Sequence, residues 1–155
     1  MYATARRNSK AFSLIELVIV VVIIGIIAAI AIPRMSRGAA GASDNALQGN
    51  LAVLRKAIDL YASEHNGAFP ALATVATQLT QYTDADGAVS ATKTGAFIYG
   101  PYIRSIPSIP VGARRGTNDI SASPGQSAWL YSATDGTLFA NTDAKDVAGV
   151  SYNAY

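Results

Sequence analysis

The sequence predicts an α+β protein: a long N-terminal α-helix, apolar in its first half and amphipathic in its second, packed against a small antiparallel β-sheet head. Three observations predict it. Residues 17–32 are sixteen in a row with no charged or strongly polar side chain. Leu47, Leu51, Leu54, Ile58, Tyr61 and Ala62 recur at spacings of three and four, which is one stripe of a helix. In "SAWLYSATDGTLFAN", two β-prone pieces, residues 128–131 and 137–140, flank Asp135-Gly136, a hairpin signal.

Four parts follow along the chain. Residues 1–11 are a short leader with Arg6, Arg7 and Lys10. Residues 12–32 are long enough to span a bilayer, since about 20 residues at 1.5 Å each cover a core of ~30 Å. Residues 33–66 continue as an amphipathic helix. Asp44 is placed to cap or charge the start of its regular part, and Asn66-Gly67, with Pro70 beyond, supplies its stop. Pro33 predicts a kink, because it lacks an N–H and crowds the preceding turn. Gly38 and Gly41 weaken the same region. One helix over 12–66 would be about 80 Å long, more than a head of this size needs, so half of it is expected outside the domain.

Residues 67–155 make the head, with loops and short antiparallel strands. "LATVATQLTQY" predicts a short helix, and "TDADGAVSATKTG" a polar loop. "AFIYGPYIRSIPSIPVG" carries Pro107 and Pro110, which predict an extended crossing instead of a central strand. The tail from Thr142 is polar, with Tyr152 and Tyr155.

The charge is unevenly placed. The chain carries twelve Lys and Arg against ten Asp and Glu, a net +2. All ten acids follow the basic leader. Without the three leader cations, nine basic residues face ten acids, a balance of −1. The basic character belongs to the leader, and no nucleic-acid partner is directly expected. The chain has no cysteine, which excludes disulfides and thiolate metal sites.

Glu16 stands at the head of the apolar run. A charge inside hydrocarbon costs roughly 2.5–3.5 kcal/mol on insertion scales, so this acid needs a partner or a purpose. Two plainer readings fit length and composition. One is a secretory signal peptide cut after "AAIAIP", although its apolar core normally has about 7–15 residues. The other is a plain signal anchor with an interfacial Glu16. Arg6-Arg7 also suggests a twin-arginine signal, but the residues after the pair fit that pattern poorly.

"FSLIELVIVVVIIGIIAAIAIPR" resembles the N-terminal signature of the type IV pilin superfamily, which includes pilins and the pseudopilins of type II secretion. The resemblance implies a pilin fold. It makes Phe12 the first mature residue and Glu16 the acid four positions on, with Gly25 and Pro33 at the family's usual glycine and helix-breaking proline. It also implies that a prepilin peptidase cuts between Ala11 and Phe12 on the cytoplasmic side, that the new N-terminus is methylated, and that the apolar helix stays in the protein. Glu16 would then meet the Phe12 amine of a neighbouring subunit and specify assembly, because a charge in an apolar bundle is tolerable when paired. This sequence departs from the family in having Ala11 where glycine normally precedes the cut.

"YASEHNGAFP", "GPYIRSIPSIPVG" and "SAWLYSATDGTLFAN" resemble the head of the major pseudopilin of type II secretion. The family's Trp-Gly-Asn after the prolines is Val111-Gly112-Ala113 here. Major pseudopilins often bind calcium in a C-terminal loop. Asp143 and Asp146 are the corresponding weak candidates, set against a solvated acidic loop. Asp84 and Asp86 are a second pair short of an EF-hand pattern.

No enzyme is expected. His65, the one histidine, reads as a capping or surface residue. Ser90-Ala91-Thr92-Lys93 and Lys93-Thr94-Gly95 match S-x-x-K and K-T-G, but they share one lysine and cannot form two separate elements. Trp129 and the tyrosines read as core and sheet surface. The expected role is structural: a homo-oligomeric filament subunit of the bacterial inner membrane, single-pass with a periplasmic head. Its expected partners are a prepilin peptidase and an assembly platform with a cytoplasmic ATPase. Its filament is a type II secretion pseudopilus or, alternatively, a type IV pilus for adhesion, twitching motility or DNA uptake. A signal-anchored periplasmic enzyme or binding domain is a third reading, and it requires a pocket with clustered polar residues.

Overall fold

The computed structural model describes residues 12–155; the leader, residues 1–11, lies outside them. Helix α1 runs Leu14–Glu64 and includes Pro33. The helix therefore continues through the proline and through Gly38 and Gly41. The chain divides into two compact units with the break between Gly38 and Ala39.

The first unit is the apolar half of α1. Alanine and the large aliphatics need no partner to hold a helix, because every backbone bond closes within the segment.

The second unit combines the rest of α1 with helix α2 (Val75–Thr80) and five short strands: β1 (Tyr82–Thr83), β2 (Val89–Ser90), β3 (Ile120–Ser121), β4 (Trp129–Tyr131) and β5 (Leu138–Ala140). The α+β arrangement agrees with a pilin fold. β1 and β2 pair antiparallel, as do β4 and β5, with Leu130 opposite Phe139. β3 departs from the antiparallel expectation: it lies parallel to β4, Ile120 beside Trp129. The connection between them, residues 122–128, leaves β3 and returns to its starting level, which a two-residue hairpin turn does not do.

The expected stripe is the core. Leu47, Leu51, Leu54, Ile58, Tyr61 and Ala62 are all buried, joined by Ala57. Against them pack Val75 and Leu79 of α2, Trp129 and Tyr131 of β4, Leu138 and Ala140 of β5, and Ile106, Ile109 and Val111 of the proline-rich crossing. β4 and β5 each bury their first and last residues and half-expose the middle one, as the two-residue period of a strand requires. The crossing is irregular, as the prolines predict. Its Pro107 carbonyl accepts the Trp129 indole N–H at 3.0 Å, and the Tyr131 hydroxyl donates to the Pro70 carbonyl at 2.8 Å.

The helix stop is the expected one. Asn66 and Gly67 both have positive φ, and the Gly67 N–H reaches back to the Ala62 carbonyl at 2.8 Å, a Schellman closure.

Three expectations need correction. "TDADGAVSATKTG" is a polar loop only in part, because its Asp84–Gly87 turn joins β1 to β2. His65 keeps the capping half of its reading, at the Tyr61 carbonyl, but is buried instead of on the surface, 4% exposed. Its ring stacks on Tyr61 at 3.9 Å, and its two nitrogens lie 2.9 Å from the carbonyls of Tyr61 and Asp84, tying the helix end to the β1–β2 turn. Asp44 neither caps nor charges a helix start: it sits inside α1 and is 6% exposed.

Gly136 closes the β4–β5 hairpin with φ +71, and a Cβ there would collide with the Phe69 ring. Gly136→Ala is expected to destabilise the head by at least about 2 kcal/mol, from left-handed backbone strain and overpacking together. Chemical denaturation of the variant beside its parent measures this.

Candidate processing and assembly segment

Three residues at the start of the described chain carry the local chemistry. Phe12 precedes the helix and is 85% exposed. The Ser13 carbonyl accepts the Leu17 N–H at 3.2 Å, and the Ser13 N–H donates to Glu16 Oε2 at 2.8 Å. A residue whose carbonyl opens the helix, with a glutamate three positions on bonding back to its N–H, is half of a capping box. Glu16 therefore starts α1 as well as carrying a charge. The S-x-x-E spacing of Ser13 and Glu16 was the signal for this second role, and reading Glu16 only as an ion-pair partner missed it. The carboxylate also sits at the positive end of the helix dipole, a favourable placement worth about 0.3–1 kcal/mol in exposed settings. The bond to Ser13 uses one of roughly four acceptor positions on the carboxylate, leaving capacity for an ammonium.

On both sides of Glu16 every large aliphatic side chain of residues 14–32 is exposed, from 45% at Val18 to 79% at Leu14. A soluble monomer rarely shows a contiguous apolar patch beyond a few hundred Å². By length and composition, α1 is long enough and apolar enough to cross a membrane. Lipid or other helices are the surroundings that suit such a surface. Ala11, the expected residue before the cut, lies outside the described residues.

Residues 6–32 match the family model of the prokaryotic N-terminal methylation motif. The motif indicates a type IV pilin-like prepilin protein. It implies processing by a prepilin peptidase and filament assembly, and it suggests a structural role. With the apolar helix, it fits a membrane-anchored pilin. The match ends at Ile32 and does not reach the head. Comparison with curated proteins and with solved structures gives no match.

The calcium candidates fall in a loop that its own chain fills. Asp146 Oδ1 accepts the N–H groups of Ala148 and Val150 at 2.8 and 2.7 Å, and Oδ2 accepts the Tyr155 hydroxyl. The Tyr155 bond, ahead of the backbone bonds, holds the Asp146 carboxyl below the usual range. Asp143 is exposed. Among the described residues no three His, Cys, Asp or Glu side chains are placed to hold a metal. Asp84 Oδ1 likewise accepts the N–H groups of Asp86 and Ala88.

Two helix residues anchor this tail. Asp44 Oδ1 accepts the Tyr152 hydroxyl at 2.5 Å, and Oδ2 the Val147 N–H at 3.2 Å. Arg55 donates to the Leu138 carbonyl at 2.8 Å and to the Tyr155 backbone oxygen at 2.7 Å. Periodicity gave no warning of either, because charged helix residues ordinarily face water.

Burial, then the Asp44 contact, pushes the Tyr152 phenol up to about 12. Burial also raises Tyr61, Tyr102 and Tyr131. A raised folded value means stability that is complete below the ordinary pKa of 10 and lost as pH climbs through the folded value. Alkaline titration should show tyrosinate absorbance lagging behind free tyrosine, with the head losing stability between about pH 10 and 12. Tyr152→Phe should remove part of that loss.

Proposed function

We propose that this protein is the subunit of a pilin-like filament. It enters the inner membrane through residues 12–32, loses its leader between Ala11 and Phe12, and is methylated on the new Phe12 amine. Polymerisation then runs through the helix, with the head, residues 67–155 packed on the stripe of residues 47–62, on the outside. The single observation that carries this reading is Glu16 at the head of an uncharged apolar run whose large side chains are all exposed, inside the methylation motif. Neither lipid nor neighbouring apolar helices would tolerate the carboxylate unpaired. The Phe12 amine of a neighbour supplies a positive charge of the right kind, and Glu16 keeps acceptor positions for it beside its Ser13 bond. Pro33, inside the helix, is its expected point of kinking.

The filament is a type II secretion pseudopilus, driving folded proteins across the outer membrane through a platform with a cytoplasmic ATPase. The head motifs support this branch. A type IV pilus uses the same helix, and electron microscopy with an antibody to the head separates the two: long external fibres in whole cells would move the assignment to the pilus.

Intact mass and N-terminal sequencing of the membrane-purified protein, co-expressed with its peptidase, test processing. The expected chain begins at Phe12 and is one methyl group heavier than its sequence. A start near Met1 means a plain anchor, and a start beyond residue 31 means a conventional signal peptide. Ala11→Gly should be cleaved at least as fast as the parent in the same assay. Glu16→Ala is expected to insert normally and fail to assemble. Leaving a buried amine without its partner costs roughly 3–5 kcal/mol, at least a hundredfold in subunit addition. Sedimentation of sheared filaments reads this directly, and normal filaments would end the pairing mechanism.

A further inference from the structure

The C-terminal segment from Asn141 to Tyr155 has little regular structure of its own. Beyond an isolated bridge between Lys145 and Ser151 it holds one 3-10 turn, Tyr152–Ala154. A segment of this kind needs something to hold it to the fold, and a calcium ion is one solution, taking six to eight oxygens from carboxylates and carbonyls. Here the Asp146 and Asp44 carboxylates are already committed to N–H and O–H donors, and Asp143 stands exposed beside them. Asp146 spends three of its roughly four acceptor positions on Ala148, Val150 and Tyr155. Asp44, the other acid of the strap, is turned to Tyr152 and Val147. The positive charge is present in the protein itself: Arg55 gathers the Leu138 and Tyr155 backbone oxygens, as a cation would. Tyr152 and Tyr155 meet edge to face at 5.9 Å, so the two phenol bonds support one another's geometry.

We propose that residues 141–155 are strapped to α1 by the Tyr152–Asp44 and Arg55–Tyr155 contacts, and closed on themselves by Tyr155–Asp146, in place of a divalent cation, which makes the head independent of calcium. Asp146 is the lock of the strap and is unavailable as a metal ligand. The inference stands on the head alone and does not depend on the filament reading.

Thermal melting of the full-length protein in detergent, in excess calcium and in excess chelator, tests it. The parent should melt at the same temperature in both. Tyr155→Phe should melt roughly 4 °C lower, and calcium should not restore it. A parent that melts several degrees higher in calcium, with the gain lost in Asp146→Asn, overturns the proposal. So does a Tyr155→Phe variant that melts with its parent. Should Tyr155→Phe not fold, calorimetric titration of calcium into the parent decides: no binding heat upholds the strap, and stoichiometric binding overturns it.

Discussion

The head depends on one buried helical stripe. Its own elements are too short to make a core: strands of two or three residues and a six-residue helix. An isolated pair of such strands is at best marginal in water. Helix α1 provides the long regular surface that they lack. Leu47, Leu51, Leu54, Ile58 and Tyr61 present five consecutive contacts, and α2, the proline crossing and the β4–β5 hairpin each bury a side chain there. Removing any one large member would leave a cavity, typically costing 2–5 kcal/mol for Leu→Ala. The polar contacts follow the same plan. Asn50 reaches the Ser108 carbonyl at 3.1 Å, and Arg55 reaches β5. The helix positions loops that have no means of positioning themselves.

Glu16 and Asp44 show how one helix uses an acid in two ways. Glu16 lies at the first turn, where the orphan N–H groups and the dipole welcome a carboxylate. Asp44 lies within the helix, where neither helps it. Its burial is supported by a phenol and a backbone N–H from the far end of the sequence, and a buried polar group costs little once it is bonded. The first arrangement leaves acceptor capacity facing outward. The second bonds each carboxylate oxygen within the head and closes the fold.

The motif match and the structure address different parts of the molecule. The methylation motif covers residues 6–32 and bears on processing, membrane and assembly. The head bears on stability and on whatever surface the assembled protein shows. One open concavity, of about 880 Å³, is lined by Arg114, Arg115, Asn141 and Asp143 among others. Arg114 is already turned to Asp119 and to the Gly125 carbonyl, and Asn141 to Gly125, Ser123 and Ser127, so the polar lining is largely structural.

What the sequence determined by itself was whatever is local or periodic. The apolar run, the stripe from Leu47 to Tyr61, the Asn66-Gly67 stop and the β4–β5 hairpin were legible because each is a repeating pattern or a turn chemistry that the chain cannot express otherwise. Ser13 with Glu16 belonged to the same legible kind. The tertiary structure alone decided the parallel pairing of β3, the burial of His65 and the roles of Asp44 and Arg55. These rest on partners 19, 103 and 83 residues away for His65, Asp44 and Arg55. No periodicity encodes such distances. A charged side chain on a helix reads as a solvent face until the rest of the chain folds over it.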